Sequence, residues 1–367
     1  MSTKTSIEMK QVLNRNGKFA TIRDIARIAK VSPATVSLIL NKRNDSKFSD
    51  ETKQKIHNIS QQLGYQNSLF KRFVKTPMKH IGILVTDANE AETTYFAEVL
   101  KGIRQACMEH NFLPVLCPTE SRCPSGIADQ IIKMTSANQV KGWIIDKEDT
   151  LDSEVCKLQD AGIPIVLINS WEPVFKGEIN WVGINNRQGA RLALEHLIKI
   201  GHRTIAFITR PYDSLEPQFR RATDNELISE YKQVLSEHEI EFRPELLCEG
   251  SLANAELVDR VIDRLMRYCM PPMAIVTGDD AIAIMAMNSL RARGYRVPDE
   301  ISVVGYGNHS LARLSYPPLT TVDCPFAKMG ALAAAHLVNL LAENQHKLLR
   351  KSLEPELIVR SSCKSML

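Results

Sequence analysis

Long hydrophobic runs are missing from this chain. No apolar stretch approaches the ~18 residues needed to cross a bilayer, and Met1–Asn16 is polar, without the apolar centre of a secretory signal. Both absences speak against membrane insertion or export, and a cytoplasmic location is expected. The eight cysteines (Cys107, Cys117, Cys123, Cys156, Cys248, Cys269, Cys324, Cys363) form no C-x-x-C pair and have no histidine at zinc spacing. Free, mostly buried thiols fit this pattern better than a disulfide framework, and no metal is expected. Catalytic signatures are absent too: there is no H-E-x-x-H, no G-x-S-x-G and no phosphate loop. Gly305-Tyr306-Gly307 lacks the third glycine and the downstream acid of a dinucleotide fingerprint. His202, within Gly201-His202-Arg203, suits the fixing of a turn better than proton transfer. Neither an enzyme nor a cofactor is expected.

Acid is scarce at one end of the chain. Residues 1–79 hold 16 Lys+Arg against 5 Asp+Glu, a net of +11; of the chain's 46 and 42, this leaves 30 and 37, a net of −7, for residues 80–367. The overall +4 therefore hides two oppositely charged parts. Such asymmetry points to a polyanion-binding module attached to a body with other duties.

The basic part carries a helix-turn-helix pattern. Ile22, Ile25, Ala26 and Ala29 recur at helical spacing; Ser32 is a good N-cap, and Pro33 falls at a first helical position, where its missing N–H costs nothing. The spacing predicts a second helix from Pro33 with Val36 and Leu40 on its inner face. Ala34, Thr35, Ser37, Leu38 and Asn41 then face outward or flank that stripe. Ser49 caps a third helix through Thr52 that carries Ile56, Ile59 and Leu63 and ends at Gly64. An ordinary helical hairpin is the competing reading of the motif, and its coincidence with the basic segment argues against it. Residues 65–79 read as a basic hinge with a marginally helical segment, Asn67–Val74. Residues 1–18, with Lys4, Lys10, Arg15 and Lys18, read as a basic extension.

From His80 onward, short apolar strands (Ile81–Val85, Leu113–Cys117, Gly142–Ile145, Pro164–Ile168, Thr204–Ile208, Ala274–Thr277, Ile301–Gly305) alternate with amphipathic segments such as Tyr95–His110, Gln188–Ile200, Ala255–Tyr268 and Asp280–Arg293. This alternation predicts βαβ units in parallel, doubly wound sheets, too many for one small sheet. Two lobes with a ligand cleft at the strand ends are expected.

Thr21–Asn41, Ser49-Asp50-Glu51-Thr52 and Leu63-Gly64-Tyr65 resemble the DNA-binding head of the LacI/GalR family of bacterial transcription regulators. Further matches follow in family order: Gly201-His202-Arg203, Arg296-Val297-Pro298-Asp299-Glu300-Ile301, Pro317-Pro318-Leu319-Thr320-Thr321, Met329-Gly330 and Glu356-Leu357-Ile358-Val359-Arg360-Ser361. The resemblance implies an all-α helix-turn-helix head at 19–64, a hinge at 65–79 and a two-lobed α/β core at 80–367 like periplasmic binding proteins. Lobe 1 would comprise about 80–182 and 324–350, and lobe 2 about 183–323 and 351–362. It further implies a homodimer on a palindromic double-stranded DNA operator, probing a major groove with the second helix and controlled by an effector in the cleft. DNA contacts carried over in this way are Thr21, Ser32, Pro33, Ala34, Thr35, Ser37, Leu38, Asn41, Lys42, Thr52, Tyr65, Lys71, Arg72 and Val74. Cleft contacts are Asp87, Asn89, Tyr95, Asp146, Leu227, Asp279, Gly307 and Asn308. No leucine heptads follow Ser361, so no tetramer-forming tail is expected.

Several positions depart from the family. Leu38 stands where most members have an arginine able to grip guanine, so a different operator is expected; a packing role for Leu38 against Phe48 is the alternative. In the hinge, Asn67-Ser68 replaces Pro-Asn, Lys71 replaces a small alanine and Val74 replaces the leucine wedge; a hinge unordered without DNA is expected. In the cleft, Leu227 replaces an arginine, Gly307 an aspartate, and Asp279-Asp280 an Asn-Asp pair. A typical sugar effector is disfavoured by these losses, leaving a cationic or unusual ligand, a protein partner, or no effector. Trp171 and Trp181 read as core packing or as stacking surfaces.

Overall fold

In the computed structural model, residues 21–40, 48–63, 78–85, 93–118, 126–137, 139–146, 152–169, 178–209, 222–249, 255–268, 273–343 and 348–367 are described, and the chain divides into two units, Met1–Met78 and Lys79–Leu367. Asn41, Lys42, Tyr65, Lys71, Arg72, Val74, Asp87, Asn89 and Trp171, and with them the hinge expectation, lie outside the described residues.

In the first unit, α1 (Ile22–Ala29) starts because Thr21 and Asp24 satisfy one another. The Asp24 N–H donates to Thr21 Oγ1 (3.3 Å), and the Thr21 N–H donates to the Asp24 carboxylate (2.9 Å). The helix stops at Lys30, whose φ of 58° is left-handed. Ser32 Oγ accepts the Thr35 N–H (3.0 Å) to start α2 (Pro33–Leu40), and Ser49 Oγ accepts the Thr52 N–H (3.3 Å) to start α3 (Asp50–Gln62). Ile25, Ala26, Ala29, Val36, Ile39 and Ile56 form the core of this unit. The inner face of α2 thus differs from the expectation: Ile39 is buried beside Val36, and Leu40 is half-buried at the margin. Positions three and four residues beyond Val36 both lie near its face, and the groove that α2 shares with α1 and α3 takes the former.

The second unit holds two six-stranded sheets. β1 (Lys79–Val85), β2 (Phe112–Pro118), β3 (Trp143–Asp146), β4 (Ile165–Ile168), β5 (Asn180–Ile184) and β11 (Arg350–Leu353) pair wholly in parallel, in the order β11-β5-β4-β3-β1-β2. β6 (Ile205–Thr209), β7 (Leu247–Glu249), β8 (Met273–Thr277), β9 (Ile301–Gly307), β10 (Thr320–Asp323) and β12 (Glu356–Ile358) pair in the order β12-β10-β9-β8-β6-β7. Only the β10–β12 pair is antiparallel among them. The central strands are continuous Ile, Val and Leu runs because both sheet faces are covered.

Helices α4 (Thr94–Glu109) and α11 (Phe326–Glu343) pack on the first sheet's side of a large apolar cluster that runs through both lobes. On the second lobe's side of it lie α7 (Asn186–Lys199) and α8 (Ala222–Glu237). Separate clusters cover the remaining faces: one with α5 (Ile127–Ser136) and α6 (Asp152–Asp160), the other with α9 (Ala255–Tyr268) and α10 (Asp280–Ala292). Between α4 and α11 the backbones touch. A Cβ on Gly102 would strike the Ala327 carbonyl, and one on Gly330 would strike the Val99 carbonyl.

The chain passes between the sheets three times, from β5 to α7, from β10 to α11 and from β11 to β12. β5 and β11 run past the boundaries expected at 182 and 350, because Ile184 pairs with Leu353 inside the first sheet. Two of the crossings are tied together: the Asn185 amide donates to the Glu354 carboxylate (3.2 Å), while Asn185 Oδ1 accepts the Gln188 N–H and caps α7 (3.1 Å). No helix among the described residues is long and apolar enough to cross a membrane, and no cluster of three or more His, Cys, Asp or Glu among them could hold a metal. Six of the cysteines are described, and all are free.

Candidate functional site

Two surfaces qualify, one in each unit. On the first, the N-terminal end of α2 is open: Ser32, Pro33 and Ala34 are exposed, and Thr35, Ser37 and Leu38 are half-buried. The Ser32 and Thr35 hydroxyls share a hydrogen bond (2.9 Å). Thr21 is exposed at the start of α1, and the half-buried Thr52 shares a hydrogen bond with Ser49 (2.8 Å) at the start of α3. The first turns of α1 and α3 carry Asp24 and Asp50-Glu51, whereas α2 has no acid there. The positive end of the α2 dipole is therefore the one left uncountered, an arrangement suited to a phosphate. Exposed Arg23, Arg27, Lys30 and Lys55 add positive charge. Leu38 is half-buried and is not among the residues of the unit's apolar cluster, against which Phe48 packs.

The second surface lies at the carboxyl ends of the strands, as the doubly wound arrangement dictates. Tyr95, Asn169, Asn186, Thr223, Gly278, Asp279, Tyr306, His309 and Phe326 line a cavity with about 440 Å³ of empty space, its solvent-open side included. Both lobes contribute. Phe326 follows the crossing out of β10, and its ring meets Tyr95 edge-on (centroids 4.8 Å apart) and stacks on His309 (6.0 Å, 14° between planes). The Tyr95 hydroxyl donates to the buried Asp146 (3.0 Å). Across the cavity, the Tyr306 hydroxyl donates to Asn186 Oδ1 (3.1 Å), and the Asn186 amide donates to Glu226 (3.0 Å).

The carboxylates here are committed to the protein. Asp279 Oδ1 caps α10 by accepting the Ala281 N–H (2.7 Å), and Asp279 Oδ2 faces His309 Nε2 at 3.7 Å. Asp280 accepts the Thr321 hydroxyl (2.5 Å) and the His309 N–H (2.7 Å). Burial pushes the Asp280 carboxyl up to about 6, against the opposing pull of those hydrogen bonds and of His309. Burial also lowers the basicity of His309, but the neighbouring Asp279 and Asp280 outweigh it and the imidazole ends above its ordinary value.

Among the sequence candidates, Tyr95 and Asp279 line the cavity and Asp146 anchors Tyr95 from behind. Three assignments need correction. Leu227 is buried in the main apolar cluster and is absent from the lining, since a leucine at this place gains more from core contacts than from a polar cavity. The Asn308 side chain turns away, accepting from Arg360 (2.6 Å) and donating to Asp323 (3.1 Å). Gly307 only makes room: its φ is +117°, and a Cβ there would lie 2.6 Å from the His309 ring. Trp181 is core packing of the first lobe and no stacking surface. His202 is buried and bonds Ser302 (2.9 Å), consistent with the turn-fixing role. The sequence reading missed Asn169, Asn186, Thr223, His309 and Phe326. A signal existed for His309, one residue beyond the Gly305–Asn308 motif; Phe326 had none.

Residues 21–68 match the family described as bacterial regulatory proteins, lacI family, and residues 194–363 match the periplasmic binding protein-like domain. Among similar curated proteins, the HTH-type transcriptional repressor PurR of Mannheimia succiniciproducens is 30% identical over 95% of this chain and 99% of its own length. PurR of Vibrio atlanticus is 31% identical, with the same coverage. A solved transcriptional regulator CelR–cellobiose complex superposes with a TM-score of 0.65 at 25% identity, over 94% of this chain and 99% of that one. The lac repressor dimer bound to operator and the anti-inducer ONPF shares the fold, with a TM-score of 0.65 at 22% identity, over 94% of this chain and 98% of that one. These relatives are regulators and not enzymes, and the helix-turn-helix head and two-sheet core place the chain with them: it belongs to the LacI family of bacterial transcription regulators.

Proposed function

We propose that this protein represses transcription as a homodimer bound to a palindromic DNA operator, with its DNA affinity set by a small molecule in the cleft between the two sheets. The observation that carries the DNA reading is the open, acid-free N-terminus of α2 beside exposed Arg23, Arg27 and Lys30. Base reading falls to Ala34, Thr35, Ser37, Leu38 and Asn41, with Thr21, Ser32, Pro33, Lys42 and Thr52 near the phosphates. Tyr65, Lys71, Arg72 and Val74 belong to the hinge contact with DNA. An apolar Leu38 favours a thymine methyl over a guanine, so the operator differs from that of arginine-bearing members. The similar proteins named as repressors support the direction of control.

Effector control is supported by a cavity whose lining comes from both lobes, so that a bound molecule senses their separation. The test is selection of bound sequences from a random duplex library, followed by titration of the winner against salt. The expected outcome is a palindrome with half-sites roughly one helical turn apart and a steep, log-linear fall of affinity with salt. Enrichment of no sequence by the free protein, with or without metabolite extract, would overturn the operator reading.

A further inference from the structure

With Asn169, Asn186 and Thr223, His309 is one of the polar groups in the cleft that the family reading does not use. Its side chain is 4% exposed, it lines the cavity, and its ring is clamped flat against Phe326. Nε2 is turned to Asp279 and towards Gly307. Nδ1, on the other side of the ring, is buried and has no hydrogen-bond partner among the described residues. A buried imidazole nitrogen left unpaired costs free energy, and the ring is held in place by its backbone N–H on Asp280, by Asp279 and by Phe326. Because the same ring lines the cavity, a molecule that fills the cavity can supply the missing partner.

The neighbours decide what that is. Asp279 spends one oxygen on the α10 cap and faces His309 with the other, and Asp280 accepts from Thr321 and from the His309 backbone. These carboxylates are engaged internally and offer a cationic ligand little, contrary to the impression the Asp279-Asp280 pair gives in the sequence. With Nε2 facing Asp279, a protonated ring leaves Nδ1–H as a charge-assisted donor still to be met. We infer that His309 is the specificity-determining residue of the cleft and that its Nδ1–H grips an oxygen of a small organic carboxylate. The inference rests on the reading of this cleft as the effector site.

Two substitutions separate the nitrogens. In His309→Asn the amide nitrogen reaches roughly the place of Nδ1, whereas in His309→Gln it reaches that of Nε2, keeping the Asp279 contact and losing the Nδ1 donor. The experiment uses the full chain and two panels: small carboxylates (pyruvate, 2-oxoglutarate, citrate, benzoate) and neutral sugars (glucose, ribose, cellobiose). Thermal shift and calorimetry report binding, and the ¹⁵N resonances of labelled histidine report the ring. The expected result is a saturable rise of the melting temperature with at least one carboxylate, accompanied by a shift of the His309 Nδ1 resonance. His309→Gln then weakens that binding about tenfold or more, while His309→Asn stays within a few-fold of the parent. Equal carboxylate binding by parent and His309→Gln overturns the assignment. A sugar that binds in place of the carboxylates, and changes DNA affinity, overturns it while leaving the effector cleft standing. Silence of both panels overturns it together with the small-molecule reading for these classes.

Discussion

Asp280 holds its carboxylate at 1% exposure beneath β9, against Gly305, where a Cβ would collide with it. Its folded-state value of about 6 stands above the 3.8 of a free side chain, so folding takes up a proton between those values. The contribution is fully present below about pH 4 and is lost as pH rises through 6, on the order of 3 kcal/mol in all. In urea unfolding of the core followed from pH 4 to pH 7, the parent is expected to lose stability over this window, and Asp280→Asn to flatten that part of the slope. An unchanged slope would refute the assignment. The same neighbourhood shows why single residues were only partly legible. Gly307 and Asn308 both have positive φ, 117° and 50°. Together they turn the chain so that the motif's asparagine faces Arg360 and the histidine after it enters the cleft. A one-dimensional motif carries spacing but no backbone direction.

At the scale of elements, the α4–α11 contact is the tightest constraint. Gly102 and Gly330 let the two helices approach until backbone meets backbone, and neither helix can retreat without opening the apolar cluster between them and the first sheet. Gly330→Ala is expected to cost up to about 3 kcal/mol through overpacking, because the collision is with backbone, and this outweighs the roughly 1 kcal/mol that alanine's better helix propensity returns. The thermal midpoint of the core should fall by several degrees. Gly102→Ala should do the same, and the double variant less than additively, because both press on one interface. Most central strands were readable as apolar runs because both their faces are buried, but β5 (Asn180–Ile184) and β10 (Thr320–Asp323), which carry polar residues, were not. β11, Arg350-Lys351-Ser352-Leu353, was not, since an edge strand with two exposed residues needs no apolar run. The caps at Ser32 and Ser49 were readable because a cap is local chemistry within four residues, and the Thr21 cap, which the sequence reading passed over, is of the same kind.

For the whole molecule, the second lobe carries an exposed apolar segment: Leu311 is 53% exposed, Leu314 71% and Tyr316 83%. A run of this kind marks an interaction surface, and the homodimer proposed above is expected to cover it. Leu314→Glu with Tyr316→Glu is expected to shift the protein from dimer to monomer in sedimentation at micromolar concentration and to weaken operator binding severely, because each half-site then binds alone. A double variant that remains dimeric would move the interface elsewhere. The sequence by itself determined the basic head and the caps at Ser32 and Ser49, the alternation that makes two parallel sheets, and the family, since all of these rest on neighbours within a few residues or on order along the chain. Only the tertiary structure decided that Ile39 and not Leu40 fills the head, that Leu227 and Asn308 leave the cleft, and that His309 and Phe326 enter it. Those choices depend on which side chains, brought together from different helices, strands and crossings, compete for the same space and the same hydrogen bonds, and no local pattern records that competition.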